Sequence, residues 1–422
     1  LELNIVFLMI LLDRFKTYLP YFLPLLLPFS RSIADITIVL VSSLFLIKSY
    51  QENNWKWAHD KWFIFAIIFW LYCILINSPL SIEPFESLAY SFFFLRWPLF
   101  AMALTYWIFN DAFDLKKFFI SISLVMVFII FDTWWQYFYG ADIFGYKSGG
   151  GRLTGPFRGH LYVGAWIAKL VLLPPLILIL CDQFKPSPIK KQIIIWCYVL
   201  MMIAFLTVYI SGERMALLLM SASIIFFSLG ILSSRDTPKG IISLVFILST
   251  LMILFFASYY PEVTNRAFHS TIDKIVNWRS SDYGLVWKSA YDVWMQSPIT
   301  GVGLHKYREA CGLLGIYGTV DNAIGGGVCF HPHNISLELL SETGLVGLLL
   351  FFAMVAVLTL SQLKKLWRKK EWLSFSLVFC ILFTCFLPIA SSTSFFSNKY
   401  ASIIWLLIGV MLSVLRVKNK TN

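Results

Sequence analysis

The segment HPHN at 331–334 places two imidazoles two residues apart, directly ahead of an apolar run. An unperturbed histidine titrates at about pH 6.5, so a neutral imidazole here can take a proton from an acceptor hydroxyl. Pro332 fixes the backbone between His331 and His333, and Asn334 is a natural N-cap for the helix that follows. As a metal pair they lack an obvious third ligand, so general-base chemistry is the better reading.

Arginines supply the second kind of chemistry. Arg214 lies in SGERMA, a short turn between two apolar runs, with Gly212 for close backbone approach and Glu213 placed to orient it. Arg279 precedes a segment of helical periodicity, and Arg152 and Arg158 flank TGPF as a glycine-rich stretch enters another apolar run. Each also has a plain use: a snorkelling arginine, a solvated loop charge or a headgroup contact. Taken together, planar and always charged guanidinium groups suit a pyrophosphate, which they can grip bidentately. Arg96, inside FFFLRWPLF, needs a buried partner or a water-filled cavity, and the sequence names none. His59, His160, His269 and His305 are isolated and read as structural.

The rest of the chain must hold these groups at a membrane. Hydrophobic residues make up 59% of the 422 residues and charged residues 14%, against roughly 45–50% and about 25% in soluble proteins. Mean hydropathy is +0.75. The composition excludes a soluble globular fold, a disordered chain and a secreted disulfide scaffold. It predicts an all-α polytopic membrane protein with about twelve spanning helices. These fall near 16–30, 33–48, 62–79, 88–109, 117–138, 159–180, 193–210, 215–232, 241–258, 334–360, 373–390 and 401–417. Asp13, Arg14 and Lys16 interrupt the first apolar stretch, which has no small-residue cleavage site and does not read as a removed signal peptide.

Lys and Arg concentrate in alternate loops, ending in the run Lys364, Lys365, Arg368, Lys369 and Lys370. The positive-inside rule then puts both termini in the cytoplasm and the sparse cations Arg31, Lys147, Arg152, Arg158, Arg214 and Lys399 outside. On this pattern the net charge of +11 is a topology signal, and nucleic acid is not a partner. Three parts result: an N-terminal bundle of about nine helices at 1–258, a large periplasmic loop at 259–333, and about three C-terminal helices at 334–422. Within the loop, Tyr283, Trp287, Ala290, Tyr291 and Trp294 fall on one face of an amphipathic helix over 281–297. Asp282 would be its N-cap, and Pro298, Gly301 and Gly303 would end it.

Of the seven cysteines, Cys73, Cys181, Cys197, Cys380 and Cys385 fall in or beside apolar runs and read as small apolar residues. Cys311 and Cys329 share the large outer loop, in an oxidising compartment, and a disulfide between them is predicted. It would pin the chain just before His331.

HPHNISLELLSETGLVGLLLF resembles the HxHNxxLExxxExGxxG signature of the O-antigen ligase/polymerase superfamily. RSSDYGLVWKSAYDVWMQSPITGVGL is similar to its R…W…A…PxxGxG segment, SGERMALLL to its SxSRxA-like turn, and GRLTGPF to its GRxxGxF entry into a span. The resemblance implies an integral GT-C-type glycosyltransferase of the bacterial inner membrane. Such an enzyme moves a glycan from undecaprenyl pyrophosphate to a periplasmic acceptor, with no metal, cofactor or nucleotide sugar. It implies Arg214 and Arg279 as pyrophosphate-binding arginines and His333 as the catalytic histidine, with His331 beside it. Glu213 replaces the small or polar residue usual in the family's turn, and GPFRGHLYVG departs from the common GTFxNPN form.

An O-antigen ligase joining glycan to lipid A-core is the leading reading. A polymerase or a protein O-oligosaccharyltransferase shares the fold and differs in its acceptor. A lipid or polysaccharide transporter is a reading from another class. Motifs gathered on one side of the membrane argue against it, since alternating access needs midplane sites and commonly internal repeats.

Overall fold

In lipid a backbone must satisfy its own hydrogen bonds, so apolar runs of this length fold as helices. The computed structural model is all-helical. It describes residues 2–148, 152–180, 187–234, 239–259, 264–265, 269–316, 329–389 and 393–421. Cys181, Lys185, Arg235 and the glycine run 149–151 lie outside the described residues.

In chain order the helices of the N-terminal part are α1 (Glu2–Phe29), α2 (Arg31–Gln51), α3 (Lys61–Tyr72), α4 (Pro84–Phe94), α5 (Arg96–Ala103) and α6 (Ala112–Tyr139). They continue with α7 (Val163–Leu170), α8 (Leu173–Leu180), α9 (Ser187–Ser211), α10 (Arg214–Ser233) and α11 (Lys239–Tyr259). Three short helices follow: α12 (Ser270–Val276), α13 (Asp282–Trp294) and α14 (Tyr307–Leu313). The C-terminal part is α15 (Ile335–Arg368), α16 (Trp372–Phe386) and α17 (Asn398–Thr421).

Among the described residues, eight helices are long and apolar enough to cross a membrane, by length and composition. They are Arg31–Gln51, Pro84–Ile108, Ala112–Tyr139, Val163–Leu180, Lys191–Ser211, Arg214–Ser233, Ile335–Arg368 and Asn398–Lys420. The predicted number was about twelve. Lys61–Asn77 and Trp372–Phe386 are apolar but shorter. α1 runs straight through Asp13, Arg14 and Lys16, so the predicted start at residue 16 is not a helix boundary.

α17 is the centre of the bundle: 94% of its apolar window is buried, against 39% for α2 and α15, which leave much of their apolar surface facing outward. Arg96 finds its partners at this centre. Its Nε donates to Asp35 Oδ1 at 3.0 Å and its Nη2 to Asn398 Oδ1 at 2.9 Å, and its guanidinium lies 4.3 Å from the Trp97 ring centroid. One cation thus ties α2, α5 and α17 together, the usual use of an ionisable group inside a bundle.

The segment at 298–303 is bound to α15 by backbone. Val302 N–H donates to Ser341 O at 3.0 Å, Gly303 N–H to Glu342 O at 2.9 Å and Leu345 N–H to Pro298 O at 2.9 Å. These bonds need a break in α15, supplied by Gly344 at φ 67° and ψ −173°. Asn77, fully buried at the end of the helical turn Cys73–Asn77 that continues α3, locks the junction. Its Nδ2 donates to Thr300 O at 2.7 Å and Glu342 O at 2.8 Å, and its Oδ1 accepts from Leu304 N–H at 3.1 Å.

α13 is shorter than predicted and differently capped. Ser281, not Asp282, is the N-cap, and its hydroxyl accepts from Gly284 N–H at 3.2 Å. Asp282 instead accepts from Lys274 Nζ at 2.5 Å. The buried face is Val286, Ser289, Ala290 and Val293, packed with Val302, Tyr307, Ala310 and Cys311. The aromatic stripe is therefore rotated off the packed face: Tyr291 is exposed, while Tyr283, Trp287 and Trp294 are half-buried. Cys311 and Cys329 are bridged across a separation of 18 residues, with their Cα atoms 5.6 Å apart.

Candidate active site

The HPHN segment lies between the disulfide and the first turn of α15. Asn334 caps that helix, its Oδ1 accepting from Leu337 N–H at 3.1 Å. His333 adopts φ 51°, a left-handed conformation unusual for a side-chain-bearing residue and one found at strained functional positions. The turn brings the rings of His331 and His333 to a centroid separation of 3.8 Å. His331 is buried and His333 half-buried. Burial, then the nearby His333 and the Arg308 charge, push His331 down to about 2. His331 is therefore a neutral imidazole at physiological pH, and it packs against Phe330 at 5.1 Å.

α13 completes this cluster. Tyr283, in its first turn, meets His333 edge to face at 6.2 Å. Lys274 Nζ lies 5.7 Å from the Tyr283 ring centroid. Arg279 sits one turn upstream, on the single 3₁₀ turn Trp278–Ser280, with its side chain exposed and 5.8 Å from the Trp278 ring centroid. Gly284 makes this approach possible, since a Cβ there would stand 1.9 Å from Trp278 O. The sequence pointed to Arg279 and His333 separately. Tyr283, which meets His333, and Lys274 beside it were missed as site residues; Tyr283 was visible only as one member of an aromatic stripe.

A second cluster surrounds the turn between α9 and α10. Gly212 takes φ 72°, and Arg214 begins α10. Glu213 does not point at Arg214 as expected. Its carboxylate is buried and accepts from Gly164 N–H at 2.8 Å and Ala165 N–H at 3.1 Å, capping the start of α7. Burial pushes this carboxyl upward, against the pull of Arg152, of these two N–H donors and of Lys169. The GRLTGPF segment closes over the same turn: Leu153 N–H donates to Ser211 O at 3.2 Å, and Gln136 Oε1 accepts from Thr154 and Gly155 N–H at 2.8 and 2.9 Å. Arg152 Nη2 donates to Leu161 O at 3.0 Å. Arg158 stands exposed, with φ 53°.

Two further cations join this cluster that the sequence had marked only as outer-loop charges. Burial, then Lys399 and Arg31, push His160 below its ordinary value. Lys399 Nζ lies 4.0 Å from the Tyr162 ring centroid. Arg31 and Lys399 thus approach His160, and Arg152 approaches Glu213, beside Arg214. On α15, Glu338 accepts from Phe395 N–H at 2.9 Å and from the Ser394 hydroxyl, anchoring α15 to the segment that leads into α17. Among the described residues no group of three or more His, Cys, Asp or Glu could hold a metal ion.

Residues 199–352 match the family model described as O-antigen ligase. No protein of curated function matches the chain. The matched stretch contains Arg214, Arg279, His331 and His333, and leaves Arg152 and Arg158 outside it. Over that stretch, about a third of the chain, the protein is similar to the O-antigen ligase family.

Proposed function

We propose that this protein transfers a glycan from undecaprenyl pyrophosphate to a periplasm-facing acceptor, with lipid A-core as the acceptor. The observation that carries the proposal is the meeting of His333 with Tyr283, on the helix whose lead-in turn bears Arg279. A proton acceptor thus meets the helix whose lead-in turn carries an exposed cation. The donor's pyrophosphate lies between Arg279 and the cation cluster at Arg214, with its polyprenyl tail in the bilayer.

As the anomeric C–O bond breaks, charge grows on the departing pyrophosphate. Fixed guanidinium groups stabilise that charge more than the ground state. The acceptor hydroxyl attacks the anomeric carbon from the opposite face, its proton passes to His333, and the configuration inverts. His331, neutral and packed on His333, adds no competing positive charge to the base. The reaction needs no metal on this reading, so chelators should leave it unchanged.

The orientation that accompanies the proposal has both termini in the cytoplasm of an inner-membrane protein and both clusters facing the periplasm. The charge pattern supports it. A periplasm-active reporter fused after residue 300 should be active and one fused after residue 368 silent. The acceptor is tested in a deletion strain. Polymer stranded on carrier lipid supports the ligase, single-repeat glycolipid supports a polymerase, and unaltered glycolipid rejects both.

A further inference from the structure

At the end of the bundle opposite the two clusters, the last turns of α15 and α17 and the start of α16 enclose a pocket. It is lined by Gln362, Lys365, Leu366, Lys369, Glu371, Leu415, Lys418 and Asn419. Three ammonium groups thus face a single carboxylate. Glu371 is already committed: Lys418 Nζ pairs with it and donates to Ser374 Oγ at 3.1 Å. Lys369 makes one long contact, 3.5 Å to Asn419 Oδ1. Lys365 makes no ion pair among the described residues. Two lysines one helical turn apart therefore line a recess whose one carboxylate is already paired with Lys418.

The pocket's other walls say what kind of anion fits. Leu366 and Leu415 are buried beside the lysines. At the same level Trp367 is 58% exposed, and its ring meets Trp372 at 4.8 Å and Phe375 at 5.6 Å. Leu360, two turns earlier on α15, is 65% exposed. Tryptophan above outward-facing leucine marks the headgroup level of a bilayer. A cationic recess at that depth, with an apolar wall below it, suits a phosphate that carries acyl chains better than a free one.

We propose that this pocket holds the phosphodiester of an anionic membrane phospholipid, with Lys365 and Lys369 as its direct cations and Lys418, fixed by Glu371, closing the third side. It is a site separate from the transfer chemistry and does not depend on it. On the charge-based orientation it selects lipid from the inner leaflet.

The full-length protein in phosphatidylcholine nanodiscs, titrated with phosphatidylglycerol, provides the test, with bound lipid counted by native mass spectrometry. Phosphatidylglycerol should be retained in preference to phosphatidylcholine. Lys365→Gln with Lys369→Gln should weaken retention on the order of 30-fold, at about five-fold per basic residue. Lys364→Gln with Arg368→Gln removes the same charge from the neighbouring surface and should leave retention within about two-fold of wild type. Equal losses in both double variants would show a diffuse surface charge and overturn the site. Full competition by inorganic phosphate would assign the pocket to a soluble anion, and equal retention of both lipids would remove any charge recognition.

Discussion

The rings of His331 and His333 stand 3.8 Å apart, and the more buried of the two is the one that cannot hold a proton near neutrality. The folded His331 titrates at about 2, while an unfolded histidine titrates at about 6.5. Above that value neither state is charged, and burial of the ring carries no proton penalty. As pH falls below it, the unfolded chain takes a proton that the folded site refuses, so stability declines by up to about 1.4 kcal/mol per pH unit. Thermal unfolding of wild type and His331→Gln at pH 7 and pH 5 should show a steeper loss in wild type. Parallel losses would mean that His331 is not the group responsible.

Removing the base or the exposed cation should be felt in transfer and not in folding. His333→Ala should lower transfer about 10²–10⁴-fold and Arg279→Ala about 10²–10³-fold, with normal insertion and thermal midpoint. Arg214→Lys should also be impaired, because a point charge cannot replace a bidentate fork. Rates in a reconstituted assay with polyprenyl-linked donor decide this. Near-normal transfer by His333→Ala removes the general-base role, and chelator inhibition reversed by added metal moves the chemistry to a metal site at His331 and His333.

Glu213→Ala should destabilise the protein by about 1–3 kcal/mol, because it leaves the buried Gly164 and Ala165 N–H groups without their acceptor. Glu213→Gln keeps one acceptor oxygen and should cost less. Thermal midpoints of the two variants give the comparison. An alanine variant as stable as wild type would show that the cap on α7 is dispensable.

Gly301 and Gly344 should not accept a side chain. A Cβ on Gly301 would stand 2.4 Å from Glu342 O, and one on Gly344 2.2 Å from Ile299 O; both glycines have positive φ. Either alanine variant should lose stability by several times the roughly 0.5–1 kcal/mol of an ordinary glycine effect, or fail to accumulate. Gly312→Ala, with nothing within 4 Å of the added carbon, should be tolerated, and fluorescence-detected size-exclusion profiles separate the cases.

The Cys311–Cys329 bridge should protect both thiols from labelling in denatured, unreduced protein, and reduction should expose them. Its loss should cost about 3 kcal/mol on the chain-entropy model.

Much of this was legible in the sequence wherever the signal is local. Apolar runs located the helices, and Asn334 announced its own helix start. Adjacent candidates blurred the finer reading: Ser281 and Asp282 are both good caps, and the nearby Lys274 drew Asp282 into an ion pair. Pairings across the bundle left no local trace. Arg96 meets Asp35 and Asn398, 61 and 302 residues away in sequence, and Asn77 meets a loop more than 220 residues later. Glu213 next to Arg214 suggested a pair, yet its buried carboxylate caps the otherwise free N–H groups of α7. Gly344 was hidden because a glycine in an apolar run looks the same whether it continues a helix or breaks it.

The backbone bonds between 298–303 and 341–346 also define what evolution and protein engineering can exchange. The segment before α15 looks like a detachable cassette hung between two apolar helices. It is not one, because its closing strip is knitted to a helix that begins after the loop ends and is clamped by Asn77 from another helix. The transplantable unit runs from the loop through Val346 and carries its contact with residue 77. A graft cut at the loop's apparent end would separate the two halves of one joint.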